Sequence, residues 1–95
     1  MNLVTLRNKY RSQFIEISDK YGIENVRVFG SVARGEESEA SDIDFLVKLL
    51  PETSLLDLAG MWGDLKELLG TKVDIVSEAT IPVYTSHIFE ESVIL

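Results

Sequence analysis

The stretch "GSVARGEESEASDIDFLV", residues Gly30–Val47, decides the fold because it follows one β-strand pattern and contains the start of a second. Before it, "NVRVF" (Asn25–Phe29) alternates and contains β-branched residues; "DIDFLVKLL" (Asp42–Leu50) has a similar character and stops at a proline. Within the stretch, a Gly-Ser pair breaks the first strand, "SVAR" permits one helical turn, and "EESEAS" is a polar loop. The pattern predicts a strand, a turn and a loop, followed by a strand that begins with Asp42 and Asp44.

The Gly-Ser pair indicates a phosphate site. A strand that ends in glycine and turns directly into a helical turn presents free backbone N–H groups, which attract an anion together with the helix dipole. Gly30 lets the backbone approach a ligand closely, the Ser31 hydroxyl adds a donor, and the Arg34 guanidinium lies one turn further on. Many strand-to-helix turns contain Gly-Ser, so this feature alone does not establish a site.

Three aspartates can lie on one face of two strands, if the strand that contains Asp74 pairs beside the strand that contains Asp42 and Asp44. Asp42 and Asp44 are two residues apart, so their carboxylates project to the same side while Ile43 points into the core. Asp74 interrupts a third apolar strand, "KVDIV" (Lys72–Val76). Hard oxygen ligands of this kind suit Mg²⁺, and beside a phosphate-binding turn they would form a two-metal site for phosphoryl transfer. An isolated D-x-D is more often a turn cap, so the prediction depends on all of these residues together.

Two longer helices are predicted from apolar periodicity and from their end signals. The first spans Leu3–Tyr21 and ends at Gly22; the second opens with the capping-box sequence Ser54–Asp57, runs to about Leu69 and ends at Gly70. The predicted core face of the first helix consists of Leu3, Leu6, Tyr10, Phe14, Ile17 and Tyr21. That of the second consists of Leu55, Leu58, Ala59, Trp62, Leu65 and Leu69. Residues 81–95 are predicted to form a short helix and a terminal strand, "SVIL".

Size and composition narrow the functional classes. The chain of 95 residues is predicted to form a single domain, residues 1–95, and its formal net charge of −7 disfavours a general nucleic-acid-binding surface. No apolar run approaches the roughly 20 residues of a membrane span, the N-terminus is too polar for a secretory signal, and cysteine is absent. We therefore expect a cytoplasmic protein that binds neither nucleic acid nor membrane directly.

The spacing of the motif matches a known family. Gly30-Ser31, ten residues, then Asp42-Ile43-Asp44 is the G-S-x10-D-x-D pattern, and the chain resembles the minimal nucleotidyltransferases of the DNA polymerase β-like superfamily. The resemblance covers nearly the whole chain and implies an α/β (α+β) fold, a small mixed β-sheet flanked by helices. It also implies an antitoxin that transfers AMP from ATP, with Mg²⁺, to a tyrosine of a HEPN-domain toxin ribonuclease and thereby silences it.

The resemblance implies roles for individual residues. The catalytic carboxylates and ligands of two Mg²⁺ ions would be Asp42, Asp44 and Asp74. The residues that hold the triphosphate would be Gly30, Ser31 and Arg34. Asp74 would also orient or deprotonate the attacking hydroxyl. Many relatives carry a second arginine where this chain has Val32, a difference that affects one secondary phosphate contact.

Several alternatives remain for the molecule that accepts the AMP group. Larger relatives add a helical domain that helps to bind the acceptor, and 95 residues do not accommodate one, so we expect a toxin partner to present the hydroxyl in a hetero-oligomer. The predicted docking surface is the last helix, the "SVIL" strand and the Met61 and Leu68 edge of the long helix. The alternatives are transfer to a small hydroxyl compound, as in antibiotic-modifying relatives, and neutralisation by contact alone. The intact carboxylates and Gly-Ser turn argue against contact alone.

Overall fold

The structure, a computed structural model, describes residues 1–38, 42–78 and 87–95. Its elements in chain order are α1 (Leu3–Tyr21), β1 (Ile23–Phe29), α2 (Gly30–Arg34), β2 (Ile43–Leu49), α3 (Leu55–Leu69), β3 (Val73–Ser77), α4 (His87–Glu91) and β4 (Val93–Ile94). Both long helices have the predicted bounds, and each of the first three strands begins and ends within two residues of its predicted limits. Parts of the predicted polar loop (39–41) and of the C-terminal region (79–86) lie outside the described residues. None of the helices within the described ranges is long and apolar enough to cross a membrane.

Local capping explains why the two long helices begin and end at the predicted residues. The Asn2 side chain accepts a hydrogen bond of 2.8 Å from the backbone amide three residues on, at the start of α1. Ser54 and Asp57 form both bonds of a capping box at the start of α3. Gly22 and Gly70 end the two helices in the left-handed conformation.

The four strands form one mixed sheet in the order β3-β2-β1-β4. β1 pairs antiparallel with both β2 and β4, whereas β2 pairs parallel with β3. The parallel pair is connected through α3, because parallel strands need a long crossover connection. The predicted small mixed sheet is confirmed. Its topology places the end of β1 beside the start of β2, which in turn lies beside the start of β3.

β1 begins two residues earlier than predicted because its first part is irregular. Ile23 pairs with Leu49, but the pairing shifts register before Arg27, and Asn25 has a φ of 52°. A bulge interrupts the two-residue alternation of a strand. The alternating pattern of Asn25–Phe29 therefore begins within the irregular part and does not extend back to Ile23.

The core contains residues from α1, α2, α3 and the three longer strands. Phe14 of α1 packs edge to face against Phe45 of β2, with 5.7 Å between the ring centroids. All six residues of the predicted α1 face belong to this cluster or pack against it, so that prediction is confirmed. Large side chains that are fully buried include Leu6, Val28, Val32, Ile43, Phe45, Val47, Met61 and Leu65.

The buried face of α3 differs from the predicted one. Its buried residues are Met61, Leu65 and Leu69, whereas Trp62 is 42% exposed and Leu55 is 81% exposed. A series at three- and four-residue steps can be drawn through either Met61 or Trp62, so periodicity alone did not distinguish the two faces. The prediction that Leu55, Ala59 and Trp62 belong to the core is wrong, whereas the predictions for Leu58, Leu65 and Leu69 are confirmed.

Because α3 buries a different face from the predicted one, the predicted docking edge of this helix also changes. Met61 is fully buried and Leu68 is partly buried against the core, so Met61 offers no surface to a partner. The exposed large apolar side chains of α3 are instead Leu55, Leu56 and Trp62.

α1 and α3 approach each other closely at Gly60. A Cβ atom at this position would lie 2.6 Å from Cε1 of the Tyr21 ring, so only glycine permits this packing. The Tyr21 hydroxyl donates a 2.8 Å hydrogen bond to Asp64, which also forms an ion pair with Lys20. The two helices are therefore fixed to each other along this contact.

Candidate functional site

The turn between β1 and α2 requires glycine at its first position. Gly30 directly follows Phe29, the last residue of β1, and has a φ of 75°, which L side chains rarely adopt. A Cβ atom at Gly30 would also collide with the Asp44 carboxylate. This closeness follows from the strand register, because Phe29 and Asp44 are paired across β1 and β2. The predicted phosphate-binding turn and the predicted acidic strand thus lie against each other.

The three predicted carboxylates come together at one edge of the sheet. Asp44 of β2 and Asp74 of β3 are directly opposite each other in the parallel register. Asp42 immediately precedes β2, and Ile43 between the two aspartates is buried, as predicted. Asp74 is exposed, whereas Asp42 and Asp44 are partly buried.

The electrostatics of Asp44 reflect this crowding. Burial raises the pKa of the Asp44 carboxyl above its ordinary value of 3.8, and the charges of Asp74 and Asp42 raise it further. The Arg34 guanidinium lowers the pKa, and the Glu91 carboxylate raises it. The site therefore carries an excess of negative charge that a bound cation would offset.

The donor set would fit a magnesium ion whose remaining ligands come from water and from a phosphate. Within residues 1–38, 42–78 and 87–95, no three acidic or histidine side chains are already arranged to hold one metal ion. Mg²⁺, however, usually takes one or two protein carboxylates and completes its shell with water and phosphate oxygens. Asp42 and Asp44 meet that requirement beside a turn whose backbone can hold the phosphate.

Arg34, which we predicted as a phosphate contact, is bound by two carboxylates. Its Nε donates to Glu36 at 2.9 Å, and its Nη1 donates to both oxygens of Glu91 at 3.1 and 3.3 Å. Ser31 follows Gly30 in the first turn of α2 and is partly buried. The three predicted triphosphate residues therefore lie together in α2.

Glu91 is the site residue that the sequence did not predict. The backbone N–H of Gly30 donates a 3.1 Å hydrogen bond to Oε1 of Glu91, the same carboxylate that binds Arg34. One carboxylate thus takes two of the donors predicted to bind phosphate. Gly30 and Glu91 are 61 positions apart, and no motif or spacing connects them. Only the fold, which places α4 against α2, brings them together.

A surface groove extends from Asp74 along α3. It measures about 390 Å³, and its lining residues are Leu55, Leu58, Ala59, Trp62, Asp74 and Ile75. Trp62 forms a fixed wall, because its indole Nε1 donates a 2.6 Å hydrogen bond to the Val73 carbonyl oxygen. A larger depression, of about 620 Å³, is lined by the C-terminal end of α3 and by residues 70–72, and includes none of the site residues above.

Comparison with known proteins agrees with this geometry. The family model for the nucleotidyltransferase domain matches residues 11–95. A protein of Methanocaldococcus jannaschii named "Putative protein adenylyltransferase" is 39% identical over 87 residues, which cover 90% of this chain and 94% of the relative. "Protein adenylyltransferase MntA" of Thermococcus cleftensis is 38% identical over 66 residues, which cover 70% of this chain and 67% of that protein.

Solved structures show the same fold. One described as a "putative minimal nucleotidyltransferase" has a TM-score of 0.85 and 42% identity, and the match covers 100% of this chain and 97% of that one. A crystal structure of a "toxin-antitoxin with AMP-PNP" has a TM-score of 0.73 over 87% of this chain and 69% of that one; at 17% identity, this likeness shows the fold alone. From the family match and the relatives of 38–39% identity, we conclude that this chain belongs to the nucleotidyltransferase family.

Proposed function

We propose that this chain is an antitoxin that transfers AMP from ATP to a tyrosine of a HEPN-class toxin ribonuclease, with Mg²⁺ as its metal. The observation that carries the proposal is the position of Asp44, which lies against the Gly30 turn on one side and beside Asp74 on the other. Phosphate donors, a metal-binding carboxylate and a further carboxylate thus follow one another across β1, β2 and β3. Nucleotidyl transfer uses groups of these three kinds to hold the phosphates, to bind the metal and to activate the attacking hydroxyl.

The names of the relatives support the donor and the kind of acceptor. Two relatives, 39% and 38% identical to this chain, are named as protein adenylyltransferases, which implies AMP as the group and a protein as the acceptor. A toxin–antitoxin structure with AMP-PNP, an ATP analogue, has the same fold. Together with the resemblance of the motif, these relatives favour a toxin over a small hydroxyl compound.

The residues of the site divide between the triphosphate and the metal. Gly30, Ser31 and Arg34 bind the triphosphate in this proposal, after Glu91 has left the Gly30 N–H group. Asp42 and Asp44 would hold Mg²⁺, which would supply positive charge to offset that of the phosphates.

The proposed reaction is an in-line substitution at the α-phosphorus of ATP. A bond forms between the tyrosine oxygen and the α-phosphorus, and the bond from the α-phosphorus to the oxygen that bridges it to the β-phosphorus breaks. Pyrophosphate leaves, and the hydroxyl proton passes to the Asp74 carboxylate and then to water. Asp74 is exposed and can therefore reach an acceptor that arrives from outside the chain.

The proposal assigns residues 1–95 to one nucleotidyltransferase domain, to which the partner brings the acceptor. Holding the acceptor hydroxyl in line with the α-phosphate can contribute about 7–11 kcal/mol of the barrier. We therefore expect the free chain to turn over ATP slowly and the complex with its toxin to react quickly.

The test uses ATP labelled in its α-phosphate and a HEPN-class toxin ribonuclease, the class of acceptor that the proposal names. We expect wild type to place labelled AMP on a toxin tyrosine, identified by mass spectrometry, and to abolish the ribonuclease activity. Asp44→Asn should do neither, whereas Asp64→Asn, which changes a carboxylate of α3 that contacts Tyr21 and Lys20, should do both. Full neutralisation by Asp44→Asn without label would show that contact alone suffices. Label on a small hydroxyl compound in place of the toxin would contradict the proposed acceptor.

A further inference from the structure

We propose that the acceptor segment of the partner protein docks in the groove between α3 and β3 and on the exposed first turn of α3 beside it. This surface consists of the groove residues Leu55, Leu58, Ala59, Trp62 and Ile75, together with Leu56. The inference rests on the proposed function, because it names the place at which the acceptor protein of that reaction binds.

The direction from which the hydroxyl attacks the phosphorus decides which reactant lies beside the groove. In an in-line substitution the attacking and leaving oxygens lie on opposite sides of the phosphorus. The predicted pyrophosphate donors, at Gly30 and Arg34, follow β1, whereas Asp74 lies two strands away on β3, and neighbouring strands are about 4.8 Å apart. The leaving group is thus held on the β1 side, and the acceptor must enter from the β3 side. The groove opens on that side, with Asp74 in its lining.

The extent of the apolar surface indicates a polypeptide. Leu56 is 84% exposed and does not line the groove, but it adjoins Leu55, which does. A small hydroxyl compound held in the groove would leave Leu56 in water, whereas a protein segment covers both. Contiguous exposed apolar residues of this kind are typical of protein interaction surfaces.

The groove is formed before any partner binds. The Trp62 indole is held by its hydrogen bond to the Val73 carbonyl, one residue before Asp74, and the Lys66 ammonium lies 4.8 Å from the Trp62 ring centroid. The only polar atom of this side chain is therefore already bonded and requires no new partner when the groove is covered. A fixed aromatic wall beside a carboxylate suits a segment that carries an apolar side chain next to the acceptor tyrosine.

The test compares two matched substitutions. Leu56 and Val4 both occupy the second position of a helix, α3 and α1 respectively, and both are highly exposed, at 84% and 64%. With the toxin as acceptor and labelled ATP as donor, Leu56→Ser should raise the KM for the toxin by about tenfold. Its kcat at saturating toxin and its Kd for MgATP should stay at the wild-type values. Val4→Ser should change none of these constants.

Trp62 provides an independent readout because it is the only tryptophan of the chain. Its emission should shift to shorter wavelength when the toxin is added without nucleotide, and Leu56→Ser should shift the titration to higher toxin concentration. Transfer by Leu56→Ser with an unchanged KM, or toxin binding that leaves the emission unchanged, would overturn the docking surface and leave the proposed function standing. Binding that depends on Leu56 but yields no labelled toxin would support the surface and contradict the proposed function.

Discussion

The Glu91 carboxylate accepts a hydrogen bond of 3.1 Å from the backbone N–H of Gly30 and also binds the Arg34 guanidinium. A carboxylate carries negatively charged oxygens, as a phosphate does, so it satisfies the donors that a triphosphate would use. Nucleotide binding at this turn must therefore displace Glu91.

Replacing Glu91 should tighten nucleotide binding. In Glu91→Gln the competing charge is lost and the hold on Arg34 weakens, so we expect the Kd for MgATP to fall by roughly two- to tenfold, as expected for the loss of a competing hydrogen bond of about 0.5–1.5 kcal/mol. Titration calorimetry measures the change. Glu90→Gln removes an exposed charge from the same helix and should leave the Kd unchanged. Equal or weaker binding by Glu91→Gln would show that Glu91 does not compete with phosphate.

The pKa of Asp44 predicts a specific dependence of stability on pH. Its folded-state pKa is raised above 3.8, so the folded chain holds this proton more tightly than the unfolded chain, and ionisation of Asp44 destabilises the fold. At pH 7 and without metal, Asp44→Asn should melt at the wild-type temperature or above it. The difference should shrink as pH falls through the raised pKa, because wild-type Asp44 then becomes neutral too.

For Asp64 we expect the opposite dependence of stability on pH. Hydrogen bonds from Tyr21 and Lys20 lower its pKa, so its ionised form stabilises the fold above the unfolded pKa and loses that effect as pH falls. Asp64→Asn should therefore melt below wild type at pH 7, and the difference should diminish in acid.

A clear loss of stability at pH 7 in Asp44→Asn would contradict the prediction for Asp44 and would identify that aspartate as a structural residue.

ATP binding should require a divalent cation. The triphosphate approaches three aspartates, of which Asp44 already has a raised pKa, and without a metal these charges repel it. Calorimetry should give a Kd in EDTA that is weaker than the Kd in Mg²⁺ by about tenfold or more. The doubly substituted Asp42→Asn, Asp44→Asn chain should show a much smaller difference. Equal affinity of wild type in EDTA and in Mg²⁺ would contradict the metal site.

Two glycines of α3 should respond oppositely to alanine. Gly60→Ala places a methyl group against the Tyr21 ring, which its bond to Asp64 holds in place, and should cost about 1–3 kcal/mol of unfolding free energy. Gly63→Ala meets no atom within 4 Å and should stabilise the helix by about 0.5–1 kcal/mol. Urea unfolding of both variants measures the difference. Two changes of the same sign would show that the Gly60 contact does not limit helix packing.

Local signals made most of the fold predictable. The bounds of α1 and α3 depend on residues at their own ends, such as Asn2, Ser54 and Gly70, and these signals are read without tertiary information. That Asp44 and Asp74 could share one face was also predictable, because each interrupts an apolar strand. Their direct opposition follows from the parallel register of β2 and β3, which no motif specifies.

Tertiary contacts explain what could not be predicted. Trp62 and Met61 are neighbours on α3, and only the position of α3 on the sheet decides which of them is buried. The bond between Glu91 and Gly30 depends on how the C-terminal segment folds back beside β1. No pattern within a window of adjacent residues contains that information.

Glu91 is attached to one of the shortest elements of the fold. β4 pairs with β1 through Val93 and Ile94, and its neighbouring contacts are the Leu95 amide on the Val26 carbonyl, 3.2 Å, and the Arg7 guanidinium on the Ile94 carbonyl. Short elements of this kind open at low free energy. When ATP displaces Glu91, this segment loses one of its attachments. Deuterium uptake at the Leu95 amide should therefore rise on nucleotide binding while the amides around Gly30 become protected, so that this end of the chain exchanges faster in the bound state than in the free one.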